Sequence, residues 1–597
     1  MRGIEEQNIW RYNALGMFLA VISLLIIGQV VRLQFSASAR NLETTNQEIY
    51  RGEYKMVYPA RGLIYDRWGH LLASNQIVYE AGVELADVEN PETIALTLSN
   101  VLGLDYATVL GQASLPYLPG SSVYSVLTDY VTEEEKNKIE QFGEEFVNQY
   151  RPRDKSKKPP SLKGLVFHAH LERSYPEGEI GSNLVGFVNK EGDGFGVEKY
   201  FNELLAGTPQ QIFVPLDPNM VEDVRRPPSG TSLVLTIDRQ TQLMAEDVLD
   251  NAVKQNDAEG GTILITNPKT GEILAMASTP RMNLNRYWEY SDIFPGSTPF
   301  NKAVSQAYEP GSVFKVLTMA AGLDSGAVKP DTVFVDTGQI EIGGLYIYNW
   351  NMGAWGPQDM TGCMQHSLNV CLTYVAMELG AKRFYSYMEA FGFGHVTGIE
   401  LAGENSGRLK RPGDGDWYEA DLGTNSFGQG ISVTPVQMAM AVGAVANDEG
   451  KLIAPHIVRS IITNGHQYDT PVQVLGNPIK PESARTLSEM LAVSLEGESS
   501  DALVDGYRVA GKTGTAEIPT PTGYTSNVTN ASFVGWGPVD DPQFLVYVWL
   551  EKPTSSIWGS VVAAPVFKEV VERLVVLMDI PPDNIRNGLK AGLSANP

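Results

Sequence analysis

The chain has 597 residues, 43% of them hydrophobic and 19% charged, with a formal net charge of −25 at pH 7. That length holds two to four domains, each able to bury its own core. So acidic a chain repels nucleic-acid phosphates, which argues against a DNA or RNA partner, and its two cysteines cannot build a disulfide framework.

In chain order, a short tail (1–13) precedes ALGMFLAVISLLIIGQVV (14–31), an uncharged run long enough to cross a bilayer. We expect a membrane anchor over 14–33. The alternative is a cleaved signal peptide with Ala37-Ser38-Ala39 as the cleavage site, but the apolar run is longer than a signal peptide requires and Arg32 interrupts the path. Arg2 and Arg11 on one side face Arg32 and Arg40 on the other, so charge sets no orientation. Residues 40–230 alternate strand-like and helical runs without a catalytic constellation. Helical stretches near 92–103 and 132–150 predict an inserted subdomain at about 86–162, and the basic run 151–164 a solvated loop. His168 and His170 share one face of a strand and, with no carboxylate partner in view, read as surface residues. From Leu233 the pattern changes. A helix capped by Asp238 (239–255), hairpin strands at 261–278, further helices, strands within 533–551 and a helix at 564–578 predict an α/β (α+β) domain over 231–583. Its antiparallel sheet is flanked by helices, with Lys512 on an edge strand, and 584–597 is expected to be a flexible tail.

The chemistry rests on YEPGSVFKVLTMAAGL (308–323). Pro310 and Gly311 break what precedes, and apolar residues then recur at helical spacing, placing Ser312 in the first turn of a buried helix. Lys315 follows about one turn later on the same face, where burial would lower its pKa and let it take the hydroxyl proton. A serine cap followed by a solvent-facing lysine is the plainer reading of that motif alone. No G-x-S-x-G elbow is present and the seven histidines form no recognisable triad, which leaves a serine–lysine scheme. Ser367-Leu368-Asn369 follows at a packed helix start, supplying a second hydroxyl and an amide. Lys-Thr-Gly then occurs twice. Lys269-Thr270-Gly271 joins two strand-like runs and precedes Ser312, so it reads as a hairpin turn; Lys512-Thr513-Gly514-Thr515 follows in the required order on a strand bordering a cleft.

With these three ordered motifs the sequence resembles the class B penicillin-binding proteins, membrane-anchored peptidoglycan D,D-transpeptidases, the division type more than the elongation type. PARGLIYDRWGHLLASN (59–75), RSYPEG (173–178), GFGVEKYFNELLAG (194–207), TGIELAGENSG (397–407), NSFGQGISVTPVQMA (425–439) and ASFVGWGP (531–538) extend the resemblance over nearly the whole chain. The resemblance implies that Ser312 attacks the D-Ala-D-Ala carbonyl of a stem peptide while Lys315 takes its proton and Ser367 shuttles it. Asn369 would orient the donor amide. Lys512, Thr513 and Thr515 would bind the terminal carboxylate, Gly514 would allow close approach, and the N–H groups of Ser312 and Thr515 would form the oxyanion hole. It further implies a pedestal module over 40–230, covalent inhibition by β-lactams, a bulk exposed outside the plasma membrane above a cytoplasmic tail, septal or lateral wall synthesis, and a polymerase partner of the SEDS glycosyltransferase family. No cofactor is implied. No sugar-polymerising domain is recognisable ahead of the transpeptidase, so this chain is not expected to elongate glycan. Asn267 stands before Pro268 where the family often has aspartate, which suits a turn equally. A β-lactamase or β-lactam sensor using the same acylation, and a non-catalytic division scaffold, are the competing functions. Cys363, His366 and Cys371 could ligate zinc, but with no fourth ligand two buried free thiols are expected; on one helix they would stand about 12 Å apart, too far to bridge.

Overall fold

The computed structural model describes residues 3–36, 52–117, 123–150, 159–189, 192–215, 227–296, 298–498, 500–520 and 523–594. The small-residue site at 37–39 and residues 151–158 of the basic loop lie outside them. The chain divides into two compact units, Met1–Ala60 with Gly207–Ser229, and Arg61–Ala206 with Gly230–Pro597.

In the first unit the helix Gly3–Gln34 contains a candidate span, Trp10–Gln34, of 25 residues, whose most apolar 18-residue window has a mean hydropathy of 2.5. At 1.5 Å per residue this segment is about 37 Å long, enough to cross a hydrocarbon core of about 30 Å with some tilt. Two antiparallel strands, Gly52–Val57 and Gln210–Pro215, complete the described part of that unit.

The second unit is built on two sheets. In the larger, seven-stranded one, Ile64–Tyr65 pairs in parallel with Ser232–Leu235 and antiparallel with the long strand Leu71–Glu84, which in turn carries Tyr124–Val131 and Leu165–Ser174. The boundary expected at 230/231 is therefore crossed by a continuous sheet, which extends to Val458–Thr463 and His466–Asp469. The inserted subdomain has a small core of its own. Helices Pro91–Leu102, Tyr106–Ala113 and Glu133–Gln149 bury Ile94, Leu98, Val109 and Ile139 against Ala81 and Val83. Asn90, Asp105 and Thr132 cap them as helix-start residues do. His170 is not a lone surface residue: its Nε2 lies 2.6 Å from Asp129 Oδ1, supplied by Tyr124–Val131, a strand that joins the same sheet through Leu71–Glu84.

The second sheet has five antiparallel strands in the order Ala510–Thr520, Gly523–Gly537, Phe544–Glu551, Gly260–Thr266, Ile273–Ser278. Successive side chains point to opposite faces, and both faces are covered, so the central strand Phe544–Glu551 is apolar and buried up to its last residue. Ile263, Ile265, Val546 and Val548 pack with helices Arg239–Gln255 and Ala564–Leu577, whereas Leu264, Leu545, Tyr547 and Trp549 join the core that holds helices Lys315–Ser325 and Pro435–Ala446. Asp238 caps its helix by accepting from Thr241 N–H at 2.8 Å, Lys269-Thr270-Gly271 is the hairpin turn between two strands, and Lys512 lies on the edge strand. In place of a flexible tail, a helix spans Asp583–Ser594, tied to the body by Arg586, whose guanidinium pairs with Asp540 and Asp583.

Candidate active site

Ser312 stands where three backbone segments press together. Ser312 lies in the 3-10 turn Gly311–Phe314, which runs into the α-helix beginning at Lys315, so the serine precedes the α-helix proper. Gly311 has φ +61° and donates its N–H to Gly428 O at 3.0 Å; a Cβ there would stand 2.7 Å from Thr515 O. Only glycine suits that backbone and that gap. A Cβ on Gly514 would in turn meet Ser532 Oγ at 2.2 Å and Val313 Cγ1 at 2.9 Å, so the edge strand rests directly on the serine turn.

Lys315 is fully buried and is the hub of the site. Its Nζ lies 2.7 Å from Ser367 O, 2.7 Å from Asn369 Oδ1 and 3.1 Å from Ser367 Oγ. Burial, then the nearby Lys512, pushes its pKa well below the usual lysine range. The amine donates to all three oxygens, the Ser367 carbonyl, the Asn369 amide oxygen and the Ser367 hydroxyl. Among the described residues no hydrogen bond joins Ser312 Oγ to Lys315 Nζ, and Ser312 Oγ has no hydrogen-bond partner.

The Ser-Leu-Asn segment is held by a helix ending with an unusual residue. Helix Met360–Gln365 stops in a loop where Ser367 N–H donates to Met364 O (3.3 Å) and Leu368 N–H to Cys363 O (3.0 Å), the pattern in which glycine normally supplies a left-handed residue. Here Ser367 takes that conformation, with φ +52°. A second helix starts at Asn369, so Cys363 and Cys371 lie on different helices, their Cα atoms 6.0 Å apart, and form a disulfide. The free-thiol expectation fails because it assumed one continuous helix. Zinc has no place there either: the sulfurs are bonded to each other, and His366 pairs through Nδ1 with Glu498 while its ring stacks on Trp355 at 4.1 Å.

Lys512, 4% exposed, lies close enough to Lys315 to disfavour its charge, and burial pushes its own pKa down to about 8. Thr513, Thr515 and Glu517 alternate along the strand as its half-exposed side, and Thr515 Oγ1 accepts from Gly559 N–H at 3.0 Å. Ser312, Ser367, Asn369, Thr513 and Thr515 line one cleft of about 960 Å³. Its far wall was not foreseen from sequence. The hairpin strands Gln339–Ile342 and Leu345–Tyr348, and the turn after them, bring Tyr348, Trp350 and Trp355 to the cleft; Asn369 Nδ2 donates to Tyr348 O at 3.0 Å, and Trp350 meets Trp558 edge to face at 5.4 Å. The signal available was the aromatic run YIYNWNMGAW (346–355), too rich in exposed aromatics for a plain turn.

A serine beside a buried lysine, a hydroxyl–amide pair and a lysine–threonine strand is the apparatus of a serine acyl transferase. Comparison with known proteins gives the family. The penicillin-binding protein transpeptidase domain model matches residues 261–572 and the penicillin-binding protein dimerisation domain model residues 56–230. Stage V sporulation protein D of Bacillus subtilis is 32% identical over 88% of this chain and 79% of that protein; peptidoglycan D,D-transpeptidase FtsI of Escherichia coli is 31% identical over 72% and 71%. Among solved structures, penicillin-binding protein 2X of Streptococcus thermophilus has a TM-score of 0.71 at 23% identity, covering 88% of this chain and 80% of that one. A peptidoglycan synthetase from Bifidobacterium adolescentis has 0.67 at 26%, covering 89% and 98%. The chain belongs to the penicillin-binding proteins, in their class B, with a transpeptidase catalytic domain.

Proposed function

We propose that this protein cross-links peptidoglycan stem peptides through an acyl-enzyme on Ser312. The observation that carries the reading is the buried Lys315 amine shared by Ser367 and Asn369 beside Ser312 in one cleft. The donor's terminal carboxylate sits against Lys512, Thr513 and Thr515, which puts the D-Ala-D-Ala carbonyl over Ser312. Ser312 Oγ attacks the carbonyl carbon while its proton passes to neutral Lys315, directly or through Ser367. The N–H groups of Ser312 and Thr515 hold the oxyanion, each such donor contributing about 2.7–4 kcal/mol in the transition state. As the C–N bond breaks, the proton moves to the departing D-alanine amine. The amine of a second stem peptide then attacks the ester, the new amide forms, and Ser312 recovers its proton. A β-lactam imitates the donor but leaves no departing group to make room for the acceptor, so its adduct persists.

The disulfide supports an extracytoplasmic catalytic domain, since such bonds persist in oxidising surroundings. With the helix Gly3–Gln34 as a single-pass anchor, the short leading segment is cytoplasmic, and a membrane-embedded glycan polymerase of the SEDS type is the partner that would supply strands to cross-link. The test is turnover by the purified full chain of a synthetic D-Ala-D-Ala peptide with an added amine acceptor. Peptide–acceptor amide as the product supports transpeptidation; rapid hydrolysis of penicillin with no amide product would make it a lactamase.

A further inference from the structure

Glu517 is a carboxylate in the catalytic cleft that the mechanism above does not use. It stands two residues beyond Thr515, roughly 7 Å along the strand and on the same side, and it lines the cleft together with Tyr524. Among the described residues it has neither a hydrogen-bond donor nor a cation. The obvious neighbouring donor is committed elsewhere: Tyr524 gives its hydroxyl proton to Glu309, with oxygen separations of 3.0 and 3.2 Å. Among the described residues the end of the cleft past Thr515 is therefore negative, with an acceptor left open.

The direction of the donor peptide brings it there. Its carboxylate is fixed at Lys512–Thr515 and its scissile carbonyl at Ser312, and the strand before Lys512 is closed, Ala510 and Gly511 being buried. The edge strand has one sheet neighbour, so an extended peptide can run beside its other side, the usual way a strand captures a peptide. Residues upstream of the D-Ala-D-Ala unit then continue past Thr515 towards Glu517. The reaction itself says what those residues carry. Cross-linking consumes an amine on the acceptor stem peptide, and the donor is another copy of the same polymer unit, so the donor bears the same amine unless it is already cross-linked. We propose that Glu517 is a specificity-determining residue that pairs with an ammonium group on the donor stem peptide, upstream of the scissile D-Ala-D-Ala.

This inference rests on the transpeptidase reading, and the experiment separates the two. The full chain in detergent is given two donors that differ only in charge, an acyl-Lys-D-Ala-D-Ala with a free ε-amine and its Nε-acetyl counterpart, and release of D-alanine is measured. The wild-type protein favours the free amine in kcat/KM by about three- to tenfold, an amount expected of a partly screened ion pair. Glu517→Gln brings that ratio to about one and Glu517→Lys inverts it; because each ratio is taken within one enzyme, the fraction of active protein cancels. Raising the salt concentration on the wild-type protein draws its ratio towards one. Equal rates for the two donors with the wild-type protein, a preference that survives Glu517→Gln, or one indifferent to salt overturns the assignment while penicillin labelling of Ser312 keeps the transpeptidase reading intact. Loss of penicillin labelling in the wild-type protein removes both.

Discussion

At the scale of single residues the site is a problem in where protons reside. Lys315 is held below the ordinary lysine range by burial and by Lys512, and Lys512 is brought to about 8 by burial. If these lysines act as proposed, acylation is expected to rise with pH as Lys315 loses its proton and to fall above about pH 8 as Lys512 loses its charge, giving a bell-shaped kcat/KM for a penicillin with its alkaline limb near pH 8. Stability follows the opposite side of the same linkage. The folded state binds fewer protons than the unfolded one between these depressed values and the ordinary lysine value of 10.5, so these two groups make folding more favourable as pH rises through that window. Ser367 gives a second test. Glycine at this left-handed position relieves about 1 kcal/mol of backbone strain, so Ser367→Gly unfolds at the same or a higher temperature than the wild type while its penicillin acylation rate falls about 10²-fold or more; equal acylation would remove Ser367 from the proton path. The nearness of Lys315 to Ser367, Asn369 and Lys512 was legible, because each sits in a short motif whose order is itself information. The Glu498 partner of His366 was not, since 132 residues separate them and neither stands in a motif.

At the scale of elements, glycine and sulfur hold the site's parts in register. The serine turn and the edge strand meet at Gly311, which faces the Thr515 carbonyl, and at Gly514, which faces the Val313 side chain, with no room for a methyl group at either. Gly311→Ala, strained in φ as well as space, is expected to slow acylation at least tenfold and to lower the unfolding temperature; a variant with wild-type acylation would show that this contact does not position Ser312. The disulfide closes a short loop around Ser367 and Asn369. Chain-entropy arithmetic for that loop gives about 2.5 kcal/mol, so replacing both cysteines by serine should lower the denaturant midpoint of the catalytic domain correspondingly. The individual helices and strands were readable because the apolar periods are strong, as in the Asp238-capped helix and the five-stranded sheet. The helix break at Ser367 was not, because a serine stands where a glycine would have marked the left-handed turn.

At the scale of the whole molecule, an apolar N-terminal helix, a non-catalytic N-terminal module and a transpeptidase domain were each visible as changes of pattern along the chain. The joint between the last two was not. Ile64–Tyr65 pairs with Ser232–Leu235 across more than 160 residues of sequence, a long-range pairing of two short strands that periodicity cannot reveal. The orientation proposed for the chain has a direct consequence in cells: Cys363 and Cys371 should resist a thiol-alkylating reagent until a reductant is added. Alkylation of both without reductant would place the domain in a reducing compartment.

The claim on which the rest depends is that Ser312 is the acylated residue. Incubating the purified full chain with penicillin and mapping the adduct by peptide mass spectrometry tests it most directly. A single penicilloyl group is expected on the peptide carrying Ser312, absent from a folded Ser312→Ala variant; an adduct on another residue, or no adduct on folded wild-type protein, overturns the assignment.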